Sequence, residues 1–384
     1  MLVQKLCPAL FVFLAFCLEI VFLAAPAHAQ TLTLLYSFQG GADGTNPQGA
    51  LVRDAAGNLY GTTEEGGTFN EGTVFKIDST GHETVLHSFG ATGDGFFPYC
   101  ALVLDKAGNL YGAAPYGGSS GQGAIFKVDS SGNETILHNF TGPPDGQAPY
   151  GSLIRDGAGS LYGMTSEGGA IGYGAVYKLD TSGQLTVLYS FLGPPDGDSP
   201  QFGALVRDMS GNFYGTVYTG GANGFGIVFK LDTSGNETIL HNFTGHADGV
   251  SPVSSLLLSS GKLYGTTAGG VGFGSGTVFE VPPNGQFRTL HTFHKSDGQF
   301  ITAGVIRDPT GNLYGTAQEG GATGSGVVFE LSPTGTLTLL HSFGFAPDGN
   351  FPSGGLIRDA AGNLYGTTQM GGTFGYGTVF MLTP

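Results

Sequence analysis

The chain has 384 residues, 70 of them glycine and 19 proline, with 40% hydrophobic and only 11% charged. A disordered chain would carry fewer apolar residues, and collagen would place glycine at every third position, so both are excluded. The formal net charge of −15 argues against a nucleic-acid or anionic-membrane partner.

Residues 1–30 differ from everything after them. Lys5 precedes an apolar run from Ala9 to Ala25, broken only by Glu19, and Pro26 leads into Ala27-His28-Ala29. This pattern predicts a signal peptide over 1–29 and a mature chain starting at Gln30, secreted or periplasmic. A retained anchor is the rival reading, weakened by the short run and its charge. No second long apolar segment follows, so no membrane span is expected in the mature chain. Cys7 and Cys17 fall in the signal, leaving Cys100 alone. No internal disulfide can form, and Cys100 reads as a packed thiol.

The mature chain opens on an isolated strand, Leu32 to Phe38. The first complete unit then reads as four strands. Strand A is Ala50 to Arg53, followed by the turn Asp54-Ala55-Ala56-Gly57. Strand B is Asn58 to Thr63, and a loop with Gly66-Gly67 leads to strand C, Thr73 to Ile77. The turn Asp78-Ser79-Thr80-Gly81 leads to strand D, Glu83 to Phe89. The strands are rich in β-branched and aromatic residues and bounded by Gly, Asp and Ser. No segment keeps a 3.6-residue apolar period, so helix content is expected near zero.

This unit repeats. Gly-Asn-Leu-Tyr-Gly, or a near copy, places its tyrosine at Tyr60, Tyr111, Tyr162, Tyr214, Tyr264, Tyr314 and Tyr365, with separations of 51, 51, 52, 50, 50 and 51 residues. The strand B Tyr precedes the strand C aromatic by 15 residues throughout, and that aromatic precedes the strand D Phe by 14. All length variation lies between strand D and the next strand B, because a paired register does not tolerate a slip. The chain ends on a seventh strand C, Gly377 to Leu382, with no strand D after it. The pattern predicts an all-β, seven-bladed β-propeller of four-stranded blades over 30–384, closed by pairing the N-terminal strand with the C-terminal blade. A β-solenoid fits less well, since its coils are shorter.

Residues present in every unit read as structural. The strand D Phe should bury between blades. Two residues before it lies Tyr36, His87, His138, Tyr189, His241, His291 or His341. Tyr replaces His twice, so these read as hydrogen-bonding residues rather than metal ligands. Asp-Gly recurs between strands D and A, from Asp43-Gly44 to Asp348-Gly349. It reads as a turn whose carboxylate accepts from backbone N–H groups, with calcium as the sharper alternative and no other cofactor expected. Gly117-Gly118-Ser119-Ser120-Gly121 matches G-x-S-x-G but lies in a repeat loop, not at a nucleophile elbow.

Taken together, Gly-Asn-Leu-Tyr-Gly-Thr-Thr, Gly-Gly, Gly-Thr-Val-Phe-Lys-Ile, Leu-His-Ser-Phe and Asp-Gly resemble the choice-of-anchor tandem repeat GloVer-containing family (Gloeobacter/Verrucomicrobia type). The resemblance covers residues 31 to 384. It implies an exported bacterial repeat protein and brings no activity with it. Members often carry a C-terminal anchoring segment. This chain stops at Pro384 directly after strand C, so free secretion or periplasmic residence is expected. Trp-marked propeller repeats fit poorly, because the chain has no Trp.

Function should sit on the face carrying the D-to-A and B-to-C connections, whose loops are longest and most variable. The two positions before the Gly doublet vary most. They give the ligand-binding candidates Glu64, Glu65, Tyr116, Glu167, Tyr218 and Glu319, and no catalytic residue. The uniform blades point to a monomeric, non-enzymatic binding or scaffold propeller for a carbohydrate, peptide or surface protein. The alternative is a lactonase- or glycosidase-like hydrolase using these carboxylates or a channel metal.

Overall fold

The computed structural model describes residues 30–270, 276–282, 285–344 and 346–383. The predicted signal peptide lies outside the described residues. Seven four-stranded antiparallel sheets form a seven-bladed β-propeller. In blade 1 the strands are Val52–Arg53, Leu59–Thr63, Thr73–Ile77 and Glu83–Ser88, ordered A-B-C-D from the channel outward. Strand A is shorter than its sequence suggests: only Val52–Arg53 pair with strand B, while Ala50 lines the central cavity and Leu51 packs between blades. Among the described residues the one helical element is a 3-10 turn, Gly41–Asp43, and no helix is long and apolar enough to cross a membrane.

The ring closes as the sequence requires. The N-terminal strand Thr31–Ser37 pairs antiparallel with Thr378–Thr383, from Thr31 opposite Thr383 to Ser37 opposite Thr378. It is the outer strand of blade 7 and covers an edge that strand C would otherwise expose.

Among the described residues the hydrophobic core is divided between the blades. Seven hydrophobic clusters each join two neighbouring blades, including blades 7 and 1 through Phe38, Leu51, Phe75, Tyr365 and Val379. Each strand D Phe meets the next blade's strand C aromatic at an angle. The ring centroids lie 5.1 Å apart for Phe38–Phe75, 5.4 Å for Phe191–Phe229 and 5.2 Å for Phe343–Phe380. Burying one such ring contributes roughly 1.5–3 kcal/mol. The glycine after the repeat tyrosine follows from this packing. Gly61 lies opposite Phe75 in the sheet, and a Cβ there would sit 2.6 Å from the ring.

A bulge organises the outer strand. In every blade the C–D register slips by one, leaving a leucine without a partner: Leu35 in blade 7, Leu86 in blade 1, Leu137 in blade 2 and so on. The slip re-aims the following His or Tyr toward the Asp of the Asp-Gly turn. His87 Nε2 lies 3.1 Å from Asp94, and the Tyr189 hydroxyl donates to Asp196 at 2.9 Å. Imidazole and phenol interchange because either carries a donor to the same place. The Asp also accepts backbone N–H groups, from Gly90 and Gly95 in the case of Asp94.

The motif Asp-x-x-Gly-Asn-Leu-Tyr is a second closed unit. The Asp54 carboxylate accepts from the Asn58 backbone at 2.9 Å, the Asn58 amide at 2.7 Å and the Tyr60 hydroxyl at 3.1 Å. Blade 5 departs from it. Its A–B turn lacks the Asp, and Lys262 replaces the Asn and pairs with Glu280 at 3.1 Å.

Candidate functional site

The variable loops are not free. In each blade the D-to-A and B-to-C connections pair in a short upper tier, such as Thr45 with Glu65, Gln147 with Glu167 and Gln299 with Glu319. The third residue after each Asp of Asp-Gly adopts a positive φ, among them Asn46, Phe97, Ala148, Phe300 and Phe351. That conformation points its two backbone groups opposite ways. Asn46 donates to Tyr376 of blade 7 and accepts from Glu64 of its own blade, so the upper tier knits neighbouring blades.

A cavity of about 550 Å³ opens at the centre of this face, within the range of small-ligand sites. Small residues ahead of strand A form its wall: Ala50, Ala101, Ser152, Ser255, Gly304 and Gly355. Its rim is unequal. Tyr99, Tyr150 and Phe202 converge from blades 2, 3 and 4, with ring centroids 5.7 Å apart for Tyr99–Tyr150, 5.4 Å for Tyr150–Phe202 and 6.3 Å for Tyr99–Phe202. Tyr116 extends the cluster, its ring 5.8 Å from Tyr150 and the two hydroxyls hydrogen bonded. Phe202 is 43% and Tyr116 41% exposed, so stacking surface faces solvent. Across the mouth, Val253, Thr302 and Ser353 hold the place of these aromatics. The Thr302 and Ser353 hydroxyls are buried and lack a partner among the described residues.

Of the predicted residues, Glu64 is the best placed. It accepts from Tyr99 at 2.8 Å and from the side-chain amides of Asn46 and Gln48, and so joins blade 1 to the aromatic cluster. The Tyr99 hydroxyl is pushed well above its ordinary range, first by burial and then by this bond to Glu64. Tyr218 lines the cavity, as does Gln318. Glu65, Glu167 and Glu319 occupy the next position along, where the backbone serves the upper tier. Glu65 and Glu167 are exposed, and Glu167 accepts from Gln147. The six candidates therefore divide: Glu64, Tyr116 and Tyr218 belong to the mouth, whereas Glu65, Glu167 and Glu319 belong to the tier above separate blades.

The sequence reading missed Gln48, Tyr99, Tyr150 and Phe202. All lie three residues before the first buried leucine of strand A, where the residue type changes from blade to blade. That alignment would have found them. Cys100 behaves as expected. It is buried, its Sγ donates to the Ala113 carbonyl at 3.2 Å, and burial pushes its thiol up to about 11.

The fold and mouth define a seven-bladed propeller with a ligand-sized central cavity and a one-sided aromatic rim. The chain belongs to the Gloeobacter/Verrucomicrobia repeat family, whose profile matches residues 20–208 and again 201–384. Among solved structures it is similar to the extracellular domain of a protein assigned as a one-component system in B. thetaiotaomicron, at 15% identity and a TM-score of 0.59. That match covers 91% of this chain and 40% of the other, so the chain spans about two fifths of that protein's length. A gluconolactonase from Xanthomonas campestris matches at 16% identity and a TM-score of 0.43, covering 92% of this chain and 89% of the other. The first of these likenesses shows the fold alone. Comparison with curated proteins gives no match.

Proposed function

We propose that this chain is an exported, monomeric binding propeller that holds a carbohydrate at its channel mouth. The observation that carries the reading is the one-sided aromatic cluster Tyr99–Tyr150–Phe202 beside the 550 Å³ cavity. A pyranose ring presents an apolar face and a rim of hydroxyls. The first suits the exposed ring of Phe202, and the second suits Glu64, Gln48, Thr302 and Ser353, whose polar groups ring the same cavity or its edge. Support for export comes from the predicted signal peptide, and the extracellular setting of the B. thetaiotaomicron domain agrees with it. Hydrolysis would require a second acid beside Glu64, whose hydrogen-bond partners among the described residues are two amides and a phenol.

The test is a glycan array on the mature chain, followed by calorimetry with the strongest neutral oligosaccharide. Phe202→Ala and Tyr150→Ala should each weaken binding about tenfold, equivalent to about 1.4 kcal/mol. An array without signal, or affinities unchanged in both variants, would remove the proposal. Release of reducing sugar from a bound oligosaccharide, lost in Glu64→Gln, would move the protein to the hydrolase class.

A further inference from the structure

Sevenfold repetition makes each blade a control for the others, and one contact at the outer edge has no equal. At each blade junction the His or Tyr behind the bulge meets the Asp of the Asp-Gly turn. The residue six before the next blade's buried Phe is the third party. It is Leu185 in blade 3 and Phe287 in blade 5, where Phe287 stacks on His241 with centroids 3.8 Å apart. It is a glutamate at three junctions: Glu83, Glu134 and Glu237. Two of these face a Tyr–Asp pair, Tyr36–Asp43 and Tyr189–Asp196. Between blades 1 and 2 the glutamate faces a histidine.

There His87 Nε2 lies 3.1 Å from Asp94 Oδ2 and 3.8 Å from Glu134 Oε2, and the three ligand atoms all fall within 4.8 Å of one another. Among the described residues no other three His, Cys, Asp or Glu side chains come together in this way. The pocket is dry. The Asp94 side chain is 2% and the Glu134 side chain 14% exposed. Glu134 Oε1 is buried with no hydrogen-bond partner among the described residues, as are Glu83 Oε1 and Glu237 Oε1 at the tyrosine junctions, so what sets this junction apart is the imidazole. One imidazole and two carboxyl groups from two blades are thus brought together largely out of solvent. The orienting contacts of a metal ligand are already present, since Asp94 Oδ1 accepts from the Gly95 N–H at 2.8 Å.

We propose that His87, Asp94 and Glu134 bind one first-row divalent cation of the zinc class, joining the outer strands of blades 1 and 2. One imidazole nitrogen with two carboxylate oxygens is a zinc-type donor set, whereas calcium takes six to eight oxygens. The cation replaces the Nε2 proton, and the imidazole proton resides on Nδ1. Both oxygen ligands are engaged as carboxylates, and the proton that Glu134 shares with Asp94 in the cation-free protein leaves to solvent as the cation enters. The site lies at the rim, so it stands or falls separately from the carbohydrate proposal.

The chain itself supplies the variants. Glu134→Leu introduces the residue of blade 3 and His87→Tyr the residue of blades 3 and 7 at its corresponding position, so both should fold. Tyr189→His completes a second triad with Asp196 and Glu237. Tag-free mature protein, stripped with chelator, is titrated with Zn²⁺ by calorimetry, and bound metal is counted after desalting. The expected result is one equivalent in the parent, at least tenfold weaker binding in Glu134→Leu and His87→Tyr, and two equivalents in Tyr189→His. Absence of binding by the parent at millimolar Zn²⁺, or unchanged affinity in both loss variants with folding intact, overturns the proposal. Manganese in place of zinc, with the same dependence on the three residues, supports it.

Discussion

The outer rim and the central mouth of this propeller obey opposite rules. At the rim, seven junctions are assembled from the same parts: a bulged leucine, a His or Tyr donor, an Asp acceptor, and a Phe against the next blade's aromatic. At the mouth the corresponding position passes through Gln48, Tyr99, Tyr150, Phe202, Val253, Thr302 and Ser353. Stability is the sum of many like interfaces, so the rim repeats. Recognition needs one arrangement facing one ligand, so the mouth does not. If this division is right, rim substitutions should cost stability in any blade, and mouth substitutions should cost binding with little loss of stability.

The largest effect should come from opening the ring. Deleting residues 31–38 removes the outer strand of blade 7, exposes the edge of Thr378–Thr383 and empties the site of Phe38. Loss of cooperative melting and aggregation on gel filtration are expected. A deletion variant melting like the parent would show that closure carries no stability. A finer version compares Phe38→Ala with Phe191→Ala. Each removes a fully buried ring from an equivalent junction, and each should cost about 3–5 kcal/mol in denaturant unfolding. A Phe38 variant much milder than its counterpart would mean that the closing junction is weaker than the rest.

The next effect depends on pH. Burial, with Asp43 nearby, pushes the Glu83 carboxyl up to about 7. Burial, with Asp196 nearby, does the same for Glu237. The folded chain therefore holds protons that the unfolded chain, with ordinary glutamates, releases above about pH 4.5. For these two groups folding stability should fall as pH rises from about 4.5 to 7, by at most about 2 kcal/mol each once solvent screening of half-buried carboxyls is allowed for. Melting curves from pH 5 to 8 test this. Glu237→Gln should flatten part of the slope, and a parent protein most stable at pH 8 would contradict the assignment.

Below this lies the turn carboxylate. Asp54→Ala strips three donors of their acceptor. A loss of about 1–3 kcal/mol is expected. Asp208, with the same partners in Asn212 and Tyr214, should respond alike. Blade 5, built on Lys262 and Glu280, would show no counterpart.

Legibility followed the same division. The rim could be read because its spacings are invariant: a Tyr-to-aromatic interval of 15 and an aromatic-to-Phe interval of 14 reflect a paired register. The repeated His or Tyr and the repeated Asp were both visible, but not as partners. The bulge that joins them leaves no composition signature beyond a leucine among other apolar residues. The upper tier was hidden for a similar reason, since backbone pairing such as Thr45 with Glu65 places little demand on side chains. Half of the mouth was legible through Glu64, Tyr116 and Tyr218. The other half lay in the connection whose length varies, where Asp196 to Leu205 is one residue longer than its counterparts. The His87–Glu134 contact joins different blades and appears only when the seven outer strands are aligned and one junction is seen to pair a histidine with the next blade's glutamate.

The smallest expected effect on stability is the most informative about the mouth. Phe202 has φ 50° and sits at the centre of a tight turn in which the Gly203 N–H donates to the Gln201 carbonyl. A bulky residue pays strain in that conformation, on the order of 1–3 kcal/mol. Phe202 is also 43% exposed, so little burial offsets it. Phe202→Gly removes the strain and the ring together, against a higher entropy for the unfolded chain. Stability should therefore stay within about 1 kcal/mol of the parent, or rise. Oligosaccharide affinity should fall by at least as much as in Phe202→Ala. Unfolding curves and calorimetry on one preparation would read both. A glycine variant that lost several kcal/mol would mean that Phe202 packs as a rim residue does, and the mouth would then be scaffold after all. One that kept its stability and lost its ligand would show a strained aromatic retained for recognition, in a molecule whose rim aromatics are retained for packing.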